Sequence, residues 1–215
     1  MPANESRRTG LLRLRHLMET TEARGEELAA AAPRFARLAD PAAAPRVVTA
    51  DNLFQTPEPL AAELVRLLGR TGRVLEPSAG LGRLYRAVRA VDPTCPVTLV
   101  DVAPDCCGEL YRLTEGDPAA RLVAGDFLTM DAARLGGPFD AVVMNPPFRN
   151  AADVRHVRHA RGLLSPGGRL VSVVAAGPRQ RAAFERTAAR WIDLPAGSFR
   201  SEGTDVAAAV VVFES

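Results

Sequence analysis

Residues 139–148 read Phe-Asp-Ala-Val-Val-Met-Asn-Pro-Pro-Phe, and they are the most informative segment of the chain. The first six residues are apolar and β-branched enough to predict a central, buried parallel strand. The two prolines can neither continue a strand ladder nor start a helix with normal hydrogen bonding, so the chain leaves the sheet in a rigid turn. Ligands of open α/β sheets bind at the carboxyl ends of strands. The turn therefore presents an amide and an aromatic ring to a ligand.

The turn formed by Asn145, Pro146, Pro147 and Phe148 resembles the catalytic motif of class I S-adenosylmethionine-dependent methyltransferases that act on amino groups, above all the adenine-N6 methyltransferases. The resemblance implies that the Asn145 side-chain oxygen and the Pro146 carbonyl each accept one N–H of the target amine. Acceptors aimed at a nitrogen that gains positive charge bind the transition state better than the ground state. Phe148 would stack on the flat base. A Pro-Pro loop with an incidental Phe is the structural alternative.

A glycine-bearing loop at residues 76–82 follows an earlier predicted strand and precedes a predicted helix. Glycines let a backbone approach a ligand closely, although the dinucleotide spacing of glycines is absent. The loop resembles the cofactor loop of DNA adenine methyltransferases, which implies that four of its residues contact the cofactor: Glu76, Ser78, Ala79 and Gly80. Glu76 would serve the cationic methionine end. An acid stabilised by a helix dipole fits the same position.

Two further predicted strands end in acidic residues. Asp101 follows residues 97–100, and an acid at the tip of the second strand is the usual partner of ribose hydroxyls. Val102 could then cover a face of the adenine. The segment that begins at residue 121 ends in Gly-Asp-Phe, and the resemblance implies that Asp126 accepts the adenine amino group while Phe127 packs on its ring. Either acid alone could be a turn residue.

Thr56 and Pro57 precede the first predicted strand. Thr56 fits an N-cap with Pro57 at the first helical position, which predicts a helix through about Leu68. The resemblance adds that this turn binds the carboxylate of the cofactor's methionine. A helix N-terminus with a hydroxyl suits an anion, so both roles are compatible.

The C-terminal region predicts a strand at residues 191–194, a loop at residues 195–205 and a final apolar strand at residues 206–213. If the last strand is antiparallel, as in the class I methyltransferase sheet, the loop lies over the active edge. The loop resembles segments of phage- and plasmid-type adenine methyltransferases, which makes Phe199 the candidate second stacking ring for a flipped base. A buried loop anchor is an equal alternative for Phe199.

The 215 residues suffice for one domain and an N-terminal appendage. The resemblance implies an α/β, Rossmann-like class I methyltransferase with a seven-stranded, mostly parallel sheet, an antiparallel last strand and helices on both faces. Residues 46–215 would form this catalytic domain, and residues 1–45 an N-terminal helical extension and linker. A large target-recognition domain has no room, so sequence specificity could come from a partner protein or a homodimer.

Charge and composition restrict the partners. The net charge is only +2, yet residues 149–190 contain many more arginines than acids, a pattern that could neutralise phosphates. His156 and His159 lie three residues apart on a predicted helix without a third ligand, so a solvated helix face is favoured and no metal site is predicted. The three cysteines lack metal-ligand spacing. No signal peptide or membrane-spanning run appears, which predicts a cytoplasmic protein without membrane contact.

These observations favour a methyltransferase that uses S-adenosyl-L-methionine to methylate the exocyclic amino group of adenine in DNA. An RNA adenine-N6 methyltransferase remains an alternative, although the cofactor loop and the Phe199 segment favour DNA over RNA. A protein-glutamine methyltransferase shares Asn-Pro-Pro but more often continues with Tyr. A non-catalytic nucleic-acid-binding or partner subunit with the same fold is the fourth hypothesis.

Overall fold

The structure is a computed structural model, and it describes residues 55–215. The predicted N-terminal helical extension at residues 1–45 lies outside the described residues. The boundary between this extension and the catalytic domain lies outside them as well.

Strands and helices alternate along the described chain, and they are numbered here in chain order. The six helices are α1 (Glu58–Leu68), α2 (Arg83–Val91), α3 (Pro104–Thr114), α4 (Ala132–Leu135), α5 (Ala152–Arg161) and α6 (Pro178–Phe184). The seven strands are β1 (Val74–Pro77), β2 (Val97–Asp101), β3 (Ala120–Ala124), β4 (Phe139–Met144), β5 (Leu164–Ala175), β6 (Arg190–Asp193) and β7 (Ala208–Glu214). Single 3₁₀ turns cover Phe127–Thr129, Arg149–Ala151 and Arg200–Glu202.

All seven strands form one sheet in the order β3-β2-β1-β4-β5-β7-β6. Neighbours from β3 to β5 are parallel, whereas β7 runs antiparallel to both β5 and β6. The predicted sheet with its antiparallel last strand is confirmed. The first three strands extend the sheet in one direction, and β4 then returns to the other side of β1. Ligand sites form where the strand order reverses in this way, so the topology places the site at the carboxyl ends of β1 and β4.

The strand predicted before the Asn-Pro-Pro-Phe turn is confirmed as β4, at its predicted bounds. Its successive side chains face opposite sides of the sheet, because strand geometry has a period of two residues. Ala141 and Val143 belong to one hydrophobic cluster, whereas Val142 and Met144 belong to the other. All four side chains are fully buried. Burial on both faces explains why this strand is a continuous apolar run rather than an alternating one.

Helices cover both faces of the sheet, as expected. Buried residues of α1, α2 and α3 contribute to the first cluster, whereas α4, α5 and α6 contribute to the second. Helix α1 ends where predicted, at Leu68, because Gly69 adopts a left-handed conformation with φ of 64° and its N–H bonds to the Val65 carbonyl.

The predicted ends of other elements were wrong by one or two residues. Strand β6 begins and ends one residue earlier than predicted, and β7 begins two residues later and extends one residue further. Helix α1 begins at Glu58 with Pro57 as its N-cap, and no side chain caps it. The predicted N-cap role of Thr56 is therefore wrong, because the helix starts one residue too late for its hydroxyl to reach the first free amides.

A fully buried carboxylate joins α5 to the end of β5 and to α6. Asp153 accepts hydrogen bonds from the Ala175 backbone N–H at 3.1 Å and from Gln180 Nε2 at 2.9 Å, and its other oxygen accepts the Val154 N–H. Burial of a carboxylate is costly unless its oxygens are hydrogen-bonded, as both oxygens of Asp153 are. Asp153 therefore fixes the helix that follows the Asn-Pro-Pro-Phe turn.

Replacement of Asp153 by Ala should lower the free energy of unfolding by about 3 kcal/mol, because it leaves the Ala175 amide and the Gln180 side chain buried without acceptors. Urea denaturation followed by circular dichroism measures this change. Asp105→Ala, at an exposed position, is the control and should cost less than about 1 kcal/mol. Equal destabilisation by the two variants would contradict the anchoring role.

Candidate functional site

A cavity of about 430 Å³ opens at the carboxyl edge of the sheet, where β1 and β4 diverge to their helices. All the residues predicted to bind cofactor or substrate line it. They come from the turn before α1, the ends of β1, β2, β3 and β4, and the loop before β7: Thr56, Glu76, Ser78, Ala79, Gly80, Asp101, Val102, Asp126, Phe127, Asn145, Pro146, Pro147, Phe148 and Phe199. Segments that are far apart along the chain thus form a single concave surface.

The loop after β1 bends sharply towards β2. Ser78 has φ of 63°, a left-handed conformation that costs a non-glycine residue about 1 kcal/mol or more. Ala79 N–H then bonds to the Val100 carbonyl at 2.9 Å. Gly82 has φ of 75°, a left-handed conformation that favours glycine, and a Cβ there would also displace the Leu113 side chain, whose methyl carbon would lie 2.4 Å away.

Asp101 holds the same loop from the end of β2. One carboxylate oxygen accepts the Gly80 N–H at 2.8 Å, and the other accepts the Ala103 N–H at 2.9 Å. A carboxylate oxygen has two acceptor sites, so both oxygens can still accept a ligand hydroxyl. Val102, the next residue, is 69% exposed at the cavity wall and offers an apolar surface.

Glu76 is the most unusual titratable group in the cavity. The side chain is buried, and its Oε2 atom has no hydrogen-bond partner among the described residues. Burial, and secondly the nearby charge of Asp101, raise the pKa of Glu76 well above its ordinary value. A carboxylate in this state favours either a proton or a cationic ligand group, and an ammonium group satisfies that need.

The loop after β3 contributes a polar and an aromatic residue. Asp126 is exposed, and its side chain accepts the Leu128 N–H at 3.0 Å at the start of the 3₁₀ turn. Phe127 is only 3% exposed and belongs to the second hydrophobic cluster. Asp126 therefore acts as a turn residue, which was one of its two predicted roles. It also lines the cavity.

Two histidines of α5 hold Phe127 in place. The Phe127 ring centroid lies 5.6 Å from that of His156 and 4.8 Å from that of His159. His156 Nδ1 bonds to the Ala152 carbonyl at 2.8 Å, and His159 Nε2 bonds to the Met130 carbonyl at 2.7 Å. The predicted solvated face was wrong, because these rings turn back towards the sheet and His156 lines the cavity. Helical spacing alone could not show which way the face points.

The Asn-Pro-Pro-Phe turn is tied to the segment before α1. The Asn145 amide nitrogen donates to the Thr56 hydroxyl at 3.2 Å, and Thr56 is buried. This contact gives the Thr56 hydroxyl a partner other than the helix. Because the amide nitrogen points to Thr56, the carboxamide oxygen is the acceptor that Asn145 can direct to an incoming N–H group.

Phe148 is half-buried and lines the cavity next to Asn145. The chain then turns through Asn150 and Ala151, whose φ values of 55° and 54° are both left-handed. Such strain in non-glycine residues is found mainly at functional sites. The tight turn allows α5 to start immediately after the motif.

Phe199 is 1% exposed and packs in the first hydrophobic cluster. Of the two predicted roles, the structure has Phe199 as the buried loop anchor, because its ring fills the space between the loop and the core. A stacking role would require this loop to move.

The described residues contain no group of three or more His, Cys, Asp or Glu side chains that could hold a metal ion. Within residues 55–215, no helix is long and apolar enough to cross a membrane.

The profile of the methyltransferase small domain family matches residues 44–190, more than half of the chain. The chain belongs to this family. Release factor glutamine methyltransferase of Salmonella typhimurium is 31% identical in an alignment that covers 50% of this chain and 48% of that protein. This chain therefore spans about half the length of that curated relative.

Solved structures share the fold of this methyltransferase domain. TrmN from Thermus thermophilus superimposes with a TM-score of 0.60 and 24% identity, over 74% of this chain and 48% of its own. The N-methyltransferase NodS from Bradyrhizobium japonicum, in complex with S-adenosyl-L-homocysteine, has a TM-score of 0.57 and 18% identity over 77% of this chain and 89% of its own. The expected fold and the expected cofactor, S-adenosyl-L-methionine, are confirmed.

The cavity chemistry fits this cofactor. Its methionine part carries an ammonium and a sulfonium, which suit the Glu76 carboxylate with its one unpaired oxygen, Oε2. Its ribose hydroxyls suit the Asp101 carboxylate, and its adenine suits the apolar surfaces of Val102 and Phe127.

The burial of His156 predicts that the free energy of unfolding depends on pH. Burial is the first of several influences that together lower the pKa of His156 below its ordinary value of 6.5. The unfolded chain then binds the proton more readily, so this contribution is complete above about pH 6.5 and is lost as the pH falls. His156→Phe keeps the ring packing and removes the titrating nitrogen. The variant should lose less free energy of unfolding between about pH 7.5 and 5.5 than the unchanged protein.

Urea denaturation at the two pH values gives both differences, and each protein serves as its own reference. The difference within each protein removes the constant cost of losing the Ala152 hydrogen bond. The same pH dependence in both proteins would contradict a buried, neutral His156.

Proposed function

We propose that this methyltransferase domain transfers the methyl group of S-adenosyl-L-methionine to the exocyclic amino group of adenine in DNA, taken as a flipped or single-stranded base. The observation that carries the proposal is the position of Asn145 and Phe148 in one cavity with Glu76 and Asp101. An amide acceptor, an aromatic ring and a cofactor surface meet at the same opening.

The acceptors are suited to a conjugated amine. The lone pair of such an amine is delocalised, so it becomes nucleophilic only when its N–H bonds are directed and the nitrogen becomes pyramidal. The Asn145 carboxamide oxygen and the Pro146 carbonyl can each accept one N–H. Their orientation is set before the substrate binds, because Asn145 is held by Thr56 and Pro146 is buried in a rigid turn. The positive charge that develops on nitrogen as the methyl group bonds to it is thereby stabilised, and the methylated nitrogen then releases its extra proton to water.

The bound cofactor supplies an electrophilic methyl group, and the chain's own residues position it. Glu76 would bind its ammonium, and Thr56 with the turn before α1 would bind its carboxylate. Asp101 would bind the ribose. Asp126, Phe127 and Val102 would bind the adenine. Ser78, Ala79 and Gly80 would bring the backbone of the loop close to the cofactor.

A flat base is favoured over an extended side chain by Phe148. Its half-buried ring lies at the cavity wall beside Asn145, where a base can stack and gain about 1–3 kcal/mol. A glutamine amide has no aromatic face and gains little from such a ring. Opening a base pair costs a few kcal/mol, which is within reach of stacking combined with two hydrogen bonds.

Glutamine in a protein is the second candidate substrate. It is favoured by the relative from Salmonella typhimurium, a release factor glutamine methyltransferase that is 31% identical over half of this chain. The acceptors Asn145 and Pro146 would direct the two N–H bonds of a carboxamide just as they would those of adenine.

Transfer of labelled methyl from S-adenosyl-L-methionine to four substrates tests the proposal: unmethylated duplex DNA, single-stranded DNA, total RNA and protein extract. We expect N6-methyldeoxyadenosine in nucleosides released from the DNA. Label in RNA alone would replace DNA with RNA as the substrate. Label in protein alone, recovered as methylglutamine, would favour the second candidate. No label in any substrate, with intact cofactor binding, would favour a non-catalytic subunit or a missing partner.

Asn145→Ala should reduce methyl transfer at least about 100-fold, because it removes an acceptor worth roughly 3 kcal/mol in the transition state. Single-turnover transfer to the preferred substrate measures this rate. The dissociation constant of S-adenosyl-L-methionine, from calorimetry, should change only a few-fold, which shows that the site remains folded. A large loss of cofactor affinity with a preserved rate would contradict the assigned role.

A further inference from the structure

We propose that three exposed arginines beside the cavity form a contact surface for the phosphates of a single-stranded nucleic acid; this inference rests on the proposed function. The surface, termed the arginine rim, consists of Arg149, Arg155 and Arg179. All three side chains are exposed, and within residues 55–215 none of them has an acidic partner.

The fold brings the three arginines to the same side of the opening. Arg149 directly follows Phe148, and Arg155 lies in the first turns of α5 and lines the cavity. Arg179 lies in the first turn of α6, which follows the carboxyl end of β5. The bonds from Gln180 to Asp153 join the starts of α5 and α6, so Arg179, the residue before Gln180, belongs to a helix start that adjoins the start of α5.

Backbone geometry directs Arg155 towards the catalytic turn. Its Nη1 atom donates to the Asn150 carbonyl at 2.9 Å, and Asn150 is one of the left-handed residues after the motif. One guanidinium edge is thus used to hold the side chain, and the other nitrogens remain available as donors. Guanidinium groups offer five N–H donors in a fork that matches phosphate oxygens.

The two halves of the opening differ in charge. The half formed by the ends of β2 and β3 carries the acids Asp101, Asp105 and Asp126, whereas the half formed by β4 and β5 carries the rim. The acids of the adjoining loop before β7 are each paired with an arginine, Glu202 with Arg83 and Asp205 with Arg200. The one acid in the first turn of α5, Asp153, is fully buried. A polyanion is therefore repelled from the first half and attracted to the second, so its backbone would cross over the starts of α5 and α6.

A strand on this path would deliver a base to Phe148. Arg149 is the next residue along the chain, so a phosphate bound there lies close to a base stacked on the Phe148 ring. Stacking on one ring together with a basic track is the usual means of holding single strands. A glutamine-containing polypeptide would need no such row of unpaired cations.

Salt dependence of binding tests the rim. A labelled single-stranded oligodeoxynucleotide of about 16 nucleotides is titrated with the full chain, saturated with S-adenosyl-L-homocysteine, across a series of salt concentrations. We expect each of Arg149→Gln, Arg155→Gln and Arg179→Gln to make the slope of log affinity against log salt shallower by about 0.7, the value for one lost phosphate contact on a single strand.

Arg186→Gln is the matched control. Arg186 is also exposed and has no acidic partner among the described residues, but it follows α6 and precedes β6, at the opposite edge of the sheet. Its substitution removes the same charge and should leave the slope unchanged. Equal slopes in the rim variants and in Arg186→Gln would overturn the inference, as would binding by the unchanged protein that does not depend on salt.

The same titration separates this inference from the proposed function. Rim-dependent binding without methyl transfer to any nucleic acid would leave the rim in place and reject the adenine substrate. Methyl transfer to DNA with no effect of the rim variants on the slope would reject the rim and keep the substrate. Tighter rim-dependent binding of the same sequence as RNA would support the rim and favour RNA as the substrate.

Discussion

The parallel pairing of β1 with β4 sets the position of the cavity and of the segments that line it. Val74 lies opposite Ala141 and Leu75 opposite Val142, in the centre of the sheet, although the two strands are far apart in sequence. The pairing reverses the strand order, and the helices that follow the two strands diverge to opposite faces. A cavity opens between them because neither helix can cover the strand ends.

The polar contacts around the cavity depend on that pairing. Gly80 from the loop after β1 bonds to Asp101 at the end of β2, and Asn145 at the end of β4 bonds to Thr56 before α1. Each bond joins two segments that only the sheet brings together. Together they hold the proposed cofactor loop and the proposed catalytic turn at fixed positions before any ligand binds, which reduces the entropy lost in reaching a reactive geometry.

Helix α5 links the two halves of the site. Its first turn contains Asp153, which binds the end of β5 and α6, and its next turns carry the histidines that pack on Phe127. The same helix begins immediately after the Asn-Pro-Pro-Phe turn. Through these contacts one helix connects the Asn-Pro-Pro-Phe turn, the proposed substrate side, with the Phe127 loop, the proposed cofactor side.

Local sequence patterns located six of the seven strands, their approximate ends and the residues that gather at the opening, whereas β5 was not placed and entered only as part of the seven-stranded sheet that the resemblance implied. Apolar runs followed by glycine, proline or acidic residues are local signals, and parallel strands always bring their carboxyl ends to one edge. The directions of several side chains could not be predicted from local patterns and are known only from the folded chain. Phe199 turned into the core, His156 and His159 turned towards Phe127, and the Thr56 hydroxyl bonded to Asn145 rather than to a helix amide. These outcomes depend on which neighbours the fold supplies, and residues distant in the chain supply them.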